Sequence, residues 1–326
     1  MPYRADTRRG RAIRWVLLTG NRRVVVGCLL LGVLVTLVPI GVLAPSQVNQ
    51  LLDEQGAVAS ILNTLLSGVI LLVSIVVSVT SLSVSRELAS IDGFRDHISG
   101  SREFRRQTEN VLEVDVSPAE PANFLEALSR AIREHADEIC AAVADSDEAL
   151  AEEIDALIDG LVGEVEPIEE TLAETEFRAI DMLLTALAFD YAEQQQAIRQ
   201  FQSRHDGEFP DAAREELNDL LDALEYFSTA RQYFKSLYFE REFANFSRDL
   251  IYASIPAILI ISYAILVVDG KLVPGATFGV PNIYAFTGAA YTVALAPFAV
   301  LTAYVLRVSA VTKRSLASGP FVLKGE

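Results

Sequence analysis

Four stretches of this chain contain no Asp, Glu, Lys, Arg or His: Val24–Ala44, Gln55–Ser85, Leu250–Val268 and Leu272–Leu306. Each is long enough to hold a membrane-crossing helix, which needs about 20 residues. In hydrocarbon every backbone polar group must be satisfied internally, so runs like these form helices. The charged residues, 22% of the chain, are confined to the segments between and beyond these runs. The predicted fold is all-α: a polytopic helical membrane protein with four transmembrane helices and a cytoplasmic helical-bundle insert between helices two and three.

The boundaries follow. Residues 1–23 form a basic segment. Residues 24–85 form a transmembrane hairpin with spans at about 24–44 and 57–82, and residues 86–248 an acidic α-helical domain with stalk helices. A second transmembrane pair occupies 249–306, with spans at about 249–268 and 283–306, and residues 307–326 are the tail. The fourth span is set late in its run because Pro274, Gly275, Gly279 and Pro281 disfavour an earlier start. The small residues Val42-Leu43-Ala44 look like a signal-peptidase site, but the apolar run exceeds the 7–15 residues of a signal core and Pro45 follows, so the first span is read as retained.

Orientation is read from Lys and Arg in the short flanking segments. Arg4, Arg8, Arg9, Arg11, Arg14, Arg22 and Arg23 precede the first span, and Arg307, Lys313, Arg314 and Lys324 follow the fourth. The loop after the first span holds Asp53 and Glu54 but no basic residue, and the loop after the third holds only Lys271. Both termini and the insert (Ser83–Arg248, counted from the end of the second span) are therefore expected in the cytoplasm of a multi-pass cell-membrane protein.

The insert reads as helical throughout. Leu125, Leu128, Ile132, Ile139 and Val143 recur at helical steps, as do Leu150, Ile154, Leu157, Ile158, Leu161 and Val165. Pro167 predicts a new start, with one helix running from Ile168 to about Arg204. Pro210 then opens a helix with no further Pro or Gly until Pro256, about 67 Å if unbroken. The second span likewise lacks a breaker until Gly93. These two segments are the predicted stalks.

Two side-chain patterns are candidate functional features. On the second span Ser60, Ser67, Ser74 and Ser81 fall every seventh residue, and Asn63, Thr64, Ser78 and Ser85 complete one polar stripe. A seven-residue repeat keeps one face against a left-handed neighbour, so the stripe is read as a packing seam, facing Gly288 and Ala289 or another subunit, with a pore lining as the alternative. The face opposite it, including Val76, is expected to meet lipid. The second pattern is a membrane-proximal basic collar: Arg22, Arg23, Arg86, Arg95, Arg102, Arg105, Arg106, Lys235, Arg241, Arg248 and Arg307. Such a collar attracts anionic lipid headgroups, at about 1 kcal/mol per residue near the surface.

The chain carries a formal net charge of −17 and 23 of its 27 basic residues are Arg. Sixteen acids and no Lys or Arg lie between Arg133 and Arg178. This acidic, halophile-like composition resembles that of salt-in halophilic archaeal proteins, where dense carboxylates keep the surface hydrated. It argues against nucleic acid as a partner, since acidic surfaces repel phosphate. Glu148, Glu152, Asp155 and Asp159 share a helix face that is read as solvated rather than cation-binding.

No catalytic, cofactor-binding or metal motif is present. His97, His135 and His205 lack a second His or Cys at ligand spacing, His135 sits on an apolar helix face as a core histidine, and the two cysteines, Cys28 and Cys140, lie in different segments. The spans hold no carboxylate or histidine for coupled transport. The order of two spans, a helical insert and two further spans resembles bestrophin-type anion channels in topology, with no motif residue of that family matched. The expected role is a non-enzymatic, homo-oligomeric membrane protein without a cofactor, whose insert supports assembly or signal relay and offers a surface to a cytoplasmic protein partner. The alternative is an oligomeric ion channel lined by the polar face of the second span.

Overall fold

The computed structural model describes residues 15–16, 20–43, 56–87, 91–144, 146–173, 179–187, 189, 191–205, 209–269, 272–277 and 280–315. The basic residues before Trp15, the Asp53–Glu54 loop, Lys271, the Asp206-Gly207 break and the tail beyond Ser315 lie outside this set, as does the side chain of Arg86. The helices are α1 (Arg22–Leu43), α2 (Ala57–Glu87), α3 (Ile91–Val111), α4 (Pro121–Val143), α5 (Glu148–Ala173), α6 (Ala179–Ala186), α7 (Tyr191–Arg204), α8 (Asp211–Asp269), α9 (Asn282–Ala294) and α10 (Ala296–Ser315). The structure is all-helical apart from two-residue strands β1 (Ala276–Thr277) and β2 (Val280–Pro281), paired antiparallel with Thr277 opposite Val280. Three helical stretches are long and apolar enough to cross a membrane: Ala57–Leu82, the α8 stretch ending at Val268, and Asn282–Thr312.

The chain divides into two compact units. One comprises Met1–Leu88 and Glu240–Ser309, the other Ala89–Phe239 and Ala310–Glu326. Helix α8 contributes to both.

In the first unit, α2 packs Leu62 and Val69 against Ile261 and Ala264 of α8 and Ala290 and Ala294 of α9. A second cluster joins Val76 to Phe246, Leu250, Val300 and Tyr304. Alanines at three of these contacts, Ala264, Ala290 and Ala294, let the helices approach closely, which is how apolar helices gain packing energy in lipid. The Tyr284 hydroxyl of α9 donates to the Leu37 carbonyl of α1 at 2.7 Å. Just before β1 the chain turns at Gly275, whose φ of +92 is a left-handed conformation that glycine adopts without a Cβ clash. Asn282 fixes the turn to the start of α9, donating from Nδ2 to the Pro274 carbonyl at 3.1 Å.

In the second unit, α4 and α5 form a hairpin joined by residues 144–147. Its seam is Leu125, Leu128, Ile132, Ile139 and Val143 against Leu150, Ile154, Ile158, Leu161 and Val165, all buried. Helix α4 begins at Pro121, the position where a missing N–H costs nothing. Leu217, Leu220, Leu224 and Phe227 of α8 extend this core, with Ile198 and Phe201 of α7. Arg231 is fully buried and donates to the Phe189 carbonyl at 2.7 Å, with its guanidinium 4.8 Å from the Tyr191 ring centroid.

Several expected boundaries are corrected. Pro167 lies inside α5, which continues to Ala173, so it starts no new helix. The expected helix over Ile168–Arg204 is divided among the end of α5, α6 and α7. Gly93 lies in the first turn of α3 and Gly100 near its middle, so neither breaks it; a helical glycine costs only about 1 kcal/mol. The fourth span is stepped at Leu295 between α9 and α10, because Pro297 has no N–H to give the preceding turn. The bonds Leu295 N–H to Tyr291 O (3.1 Å) and Ala299 N–H to Leu295 O (2.9 Å) carry the helical pattern through the step.

Candidate functional site

The faces of α2 are fixed by one angular relation. Leu62, Val69 and Val76 are buried, and each lies two residues after a stripe serine: Ser60, Ser67 and Ser74. Two residues are about 200° around a helix at 3.6 residues per turn. The stripe therefore points away from the intramolecular seam. Ser60, Asn63, Thr64, Ser67, Ser74, Ser78, Ser81 and Ser85 are all exposed in the chain. Gly288 does not face them; a Cβ there would meet Leu37 of α1 at 3.9 Å. Val76, expected to meet lipid, is 6% exposed within the second core cluster.

Most stripe hydroxyls spend their proton within α2. Thr64 donates to the Ser60 carbonyl at 2.9 Å, Ser74 to Ile70 at 2.8 Å, Ser78 to Ser74 at 2.8 Å, Ser81 to Val77 at 2.9 Å and Ser85 to Ser81 at 2.8 Å. Their oxygens keep lone pairs free to accept hydrogen bonds on this face. The hydroxyl that crosses between helices belongs to neither the stripe nor the serine repeat. Thr80 gives its proton to the Val76 carbonyl at 2.8 Å and stands 3.1 Å from the Ser247 hydroxyl of α8, which then acts as donor to it. The tight point of the seam is Gly68, where a Cβ would come within 3.2 Å of the Phe298 ring.

The expected collar residues fall in both units. In the first, Arg22 pairs with Glu242 and lies over the Tyr304 ring, 4.4 Å from its centroid. Arg23 reaches Asp249 at 3.6 Å, Arg248 reaches the same carboxylate at 3.5 Å, and the Tyr304 hydroxyl donates to it at 2.9 Å. Arg307 is buried and donates to the Gly20 carbonyl. These are not free cations at a lipid surface: three arginines pair with two carboxylates, and Arg307 bonds a backbone carbonyl. Glu242 and Asp249 stand seven residues apart on α8, placing both on one face toward α1 and α10. The sequence signal for them was the pairing of Arg241 with Glu242 and of Arg248 with Asp249, of which only the basic partners were counted. Arg241 is exposed. In the second unit Arg95, Arg102, Arg105 and Arg106 lie exposed on α3, and Lys235 is half-buried on α8.

The second unit holds the remaining titratable groups. The aromatics of α8 serve its packing: Phe104 meets Tyr226 and Phe124 meets Phe234 edge-on, with centroids 5.9 and 6.1 Å apart. Phe104, Phe124 and Phe234 border a cleft of about 430 Å³ that His97 and Arg105 also line. Glu148, Glu152, Asp155 and Asp159 are exposed along α5. Cys140 is half-buried, and burial together with the Asp155 carboxylate pushes its thiol up to about 11, leaving it protonated and unreactive at neutral pH. His205 is held between helices by Glu153 of α5, 3.0 Å from its Nε2. His135 is 12% exposed and bonds Glu216 of α8, a partner that α4 alone cannot reveal.

The chain belongs to a family of unknown function, DUF7972, which matches it over residues 2–326. No curated protein and no solved structure matches it.

Proposed function

We propose that this family member is a non-enzymatic four-span membrane protein that assembles with copies of itself through the polar face of α2, its helical unit lying in the cytoplasm. Helix α1 supplies the fourth span: its 22 residues carry no charge after Arg23 and reach about 33 Å, enough to cross the hydrocarbon core. The observation that carries the reading is the exposure of the hydroxyl stripe on the face of α2 opposite the seam. Only 11% of the apolar window of α2 is buried within the chain, against 28% for α8 and 44% for α9–α10, so of these three α2 has the most surface to offer a second copy. Small residues at heptad spacing suit close helix approach, and interhelical hydroxyl contacts in lipid contribute about 0.6 kcal/mol each. Helix α8, one helix from Asp211 to Asp269, supports a role in relay as well as assembly.

The test is disulfide trapping in native membranes after Cys28 and Cys140 are replaced. Ser67→Cys and Ser74→Cys are expected to form covalent dimers under mild oxidation. Val79→Cys, exposed on a flank of the same helix, is not. Equal trapping at all three positions, or none at any, rejects the stripe as the contact.

A second reading, an ion channel, is favoured by the free lone pairs of the five stripe hydroxyls that donate within α2. Oxygens that have spent their protons on their own helix suit cations when arranged around an axis. Planar-bilayer recording is expected to show cation current under this reading. Its absence with well-assembled protein eliminates the channel while leaving self-association intact.

A further inference from the structure

An imidazole and two carboxylates converge in the helical unit where α4 meets α8. His135 and Glu138 are three residues apart on α4 and so share one face. Glu216 reaches them from the second turn of α8, with its Oε2 2.9 Å from His135 Nδ1. One ligand-capable atom from each of the three lies within 4.8 Å of the others. Glu138 also shares a side-chain hydrogen bond with Glu216. Two carboxylates this close repel one another, and a cation held between them relieves that repulsion.

We propose that His135, Glu138 and Glu216 bind one divalent transition-metal ion of the zinc class, with a further position open to water. The donor set is one nitrogen and two carboxylate oxygens, which suits zinc and its neighbours; calcium takes 6–8 oxygens and magnesium keeps most of its water. The charge balances, since two carboxylates and a neutral imidazole meet a doubly charged cation. Tetrahedral ligands about 2.0–2.2 Å from zinc stand about 3.4 Å from one another, so small side-chain rotations close the set. A histidine and a glutamate three apart on one helix, completed from a facing helix, is how helical bundles build such sites.

The surroundings supply an approach. A cleft of about 250 Å³ has His135 in its wall, together with Glu113, Asp219, Asp222 and Tyr226. Three carboxylates in one cleft raise the local concentration of cations beside the imidazole. The exposed acids of α5 have no imidazole among them and make the natural control.

Full-length protein in detergent is stripped with chelator, then titrated with zinc while bound metal and thermal stability are followed. One equivalent per chain and a raised Tm are expected. Glu138→Gln, Glu216→Gln and His135→Ala should each weaken binding at least tenfold, while Asp155→Asn with Asp159→Asn should not. Glu138→Gln is decisive for folding concerns, because it sits at the surface and keeps a hydrogen bond to Glu216. Without metal it should match or exceed the wild-type Tm, and it should lose the zinc-dependent rise. Cobalt should give visible ligand-field bands that disappear in His135→Ala. Zinc uptake unchanged in Glu138→Gln and Glu216→Gln overturns the site, and displacement of zinc by equal calcium overturns the metal class.

Discussion

Glu113 is the one non-glycine with positive φ among the described residues, at 51°. It ends α3: Glu113 N–H bonds the Asn110 carbonyl at 3.3 Å and Val114 N–H bonds the Glu109 carbonyl at 3.1 Å, the paired closure that normally carries glycine. The following turn is tied by the Glu109 carboxylate, which accepts from both the backbone N–H and the hydroxyl of Ser117 at 2.9 Å; these bonds hold its carboxyl below the usual range. An L-residue in the left-handed region costs about 1–2 kcal/mol. Glu113→Gly should therefore stabilise the full chain by about 1 kcal/mol in denaturant unfolding, while Glu113→Ala, which removes the charge and keeps the Cβ, should not. A gain from Ala equal to that from Gly would assign the effect to charge repulsion in the cleft instead. This stop was not legible in the sequence, because neither Glu113 nor its neighbours carries a turn signature. The glycine that looked like a breaker, Gly93, is absorbed into α3.

At the scale of elements, the presence of α2 and the continuity of α8 were legible, since long charge-free runs and 45 residues without Pro or Gly leave few alternatives. Which side of α2 faces its own chain was not. The serine stripe and the Leu62–Val69–Val76 row both repeat every seven residues, and lipid is as apolar as leucine, so no hydrophobic contrast tells the two faces apart. Packing decides, through Gly68 beside Phe298 and Val76 beside Phe246 and Leu250. Two substitutions separate the faces. Val76→Leu adds a methylene to a filled seam and should cost about 1–3 kcal/mol of thermal stability in detergent. Ser74→Leu adds bulk on the exposed face, so it should leave the stability of the dissociated chain unchanged and remove the assembled species from size-exclusion profiles. Destabilisation by Ser74→Leu with no effect of Val76→Leu would reverse the assignment of faces. The partners of His135 and Arg22 were hidden for a related reason: each is completed by α8, from Glu216 and Glu242, and no local pattern in α4 or α1 encodes which residues of a distant helix they meet.

For the whole molecule, the proposed orientation rests on where Lys and Arg fall, and several of those arginines are paired in the charge network. Arg22, Arg23 and Arg248 are paired with Glu242 and Asp249, so the start of α1 and the 242–249 stretch of α8 carry less net charge than the arginines alone imply. The orientation rule counts basic residues rather than net charge, and acids contribute little to it. Pairing in the folded state therefore does not change the proposed orientation, in which the arginines mark the cytoplasmic side. The same network makes the folded unit sensitive to removal of one partner, since an uncompensated buried charge costs about 3–5 kcal/mol. Orientation is tested without disturbing it. Cys28 and Cys140 are first replaced, then single cysteines are placed at Gln50, in the short loop after the first span, and at Asp159, exposed on α5. In intact cells a membrane-impermeant maleimide should label Gln50→Cys, and Asp159→Cys should label only after permeabilisation. The opposite pattern would put the helical unit outside the cell. His135, Glu138 and Glu216 would then face extracellular metal instead of the cytoplasmic pool, and the arginine network would mark the outer end of the spans.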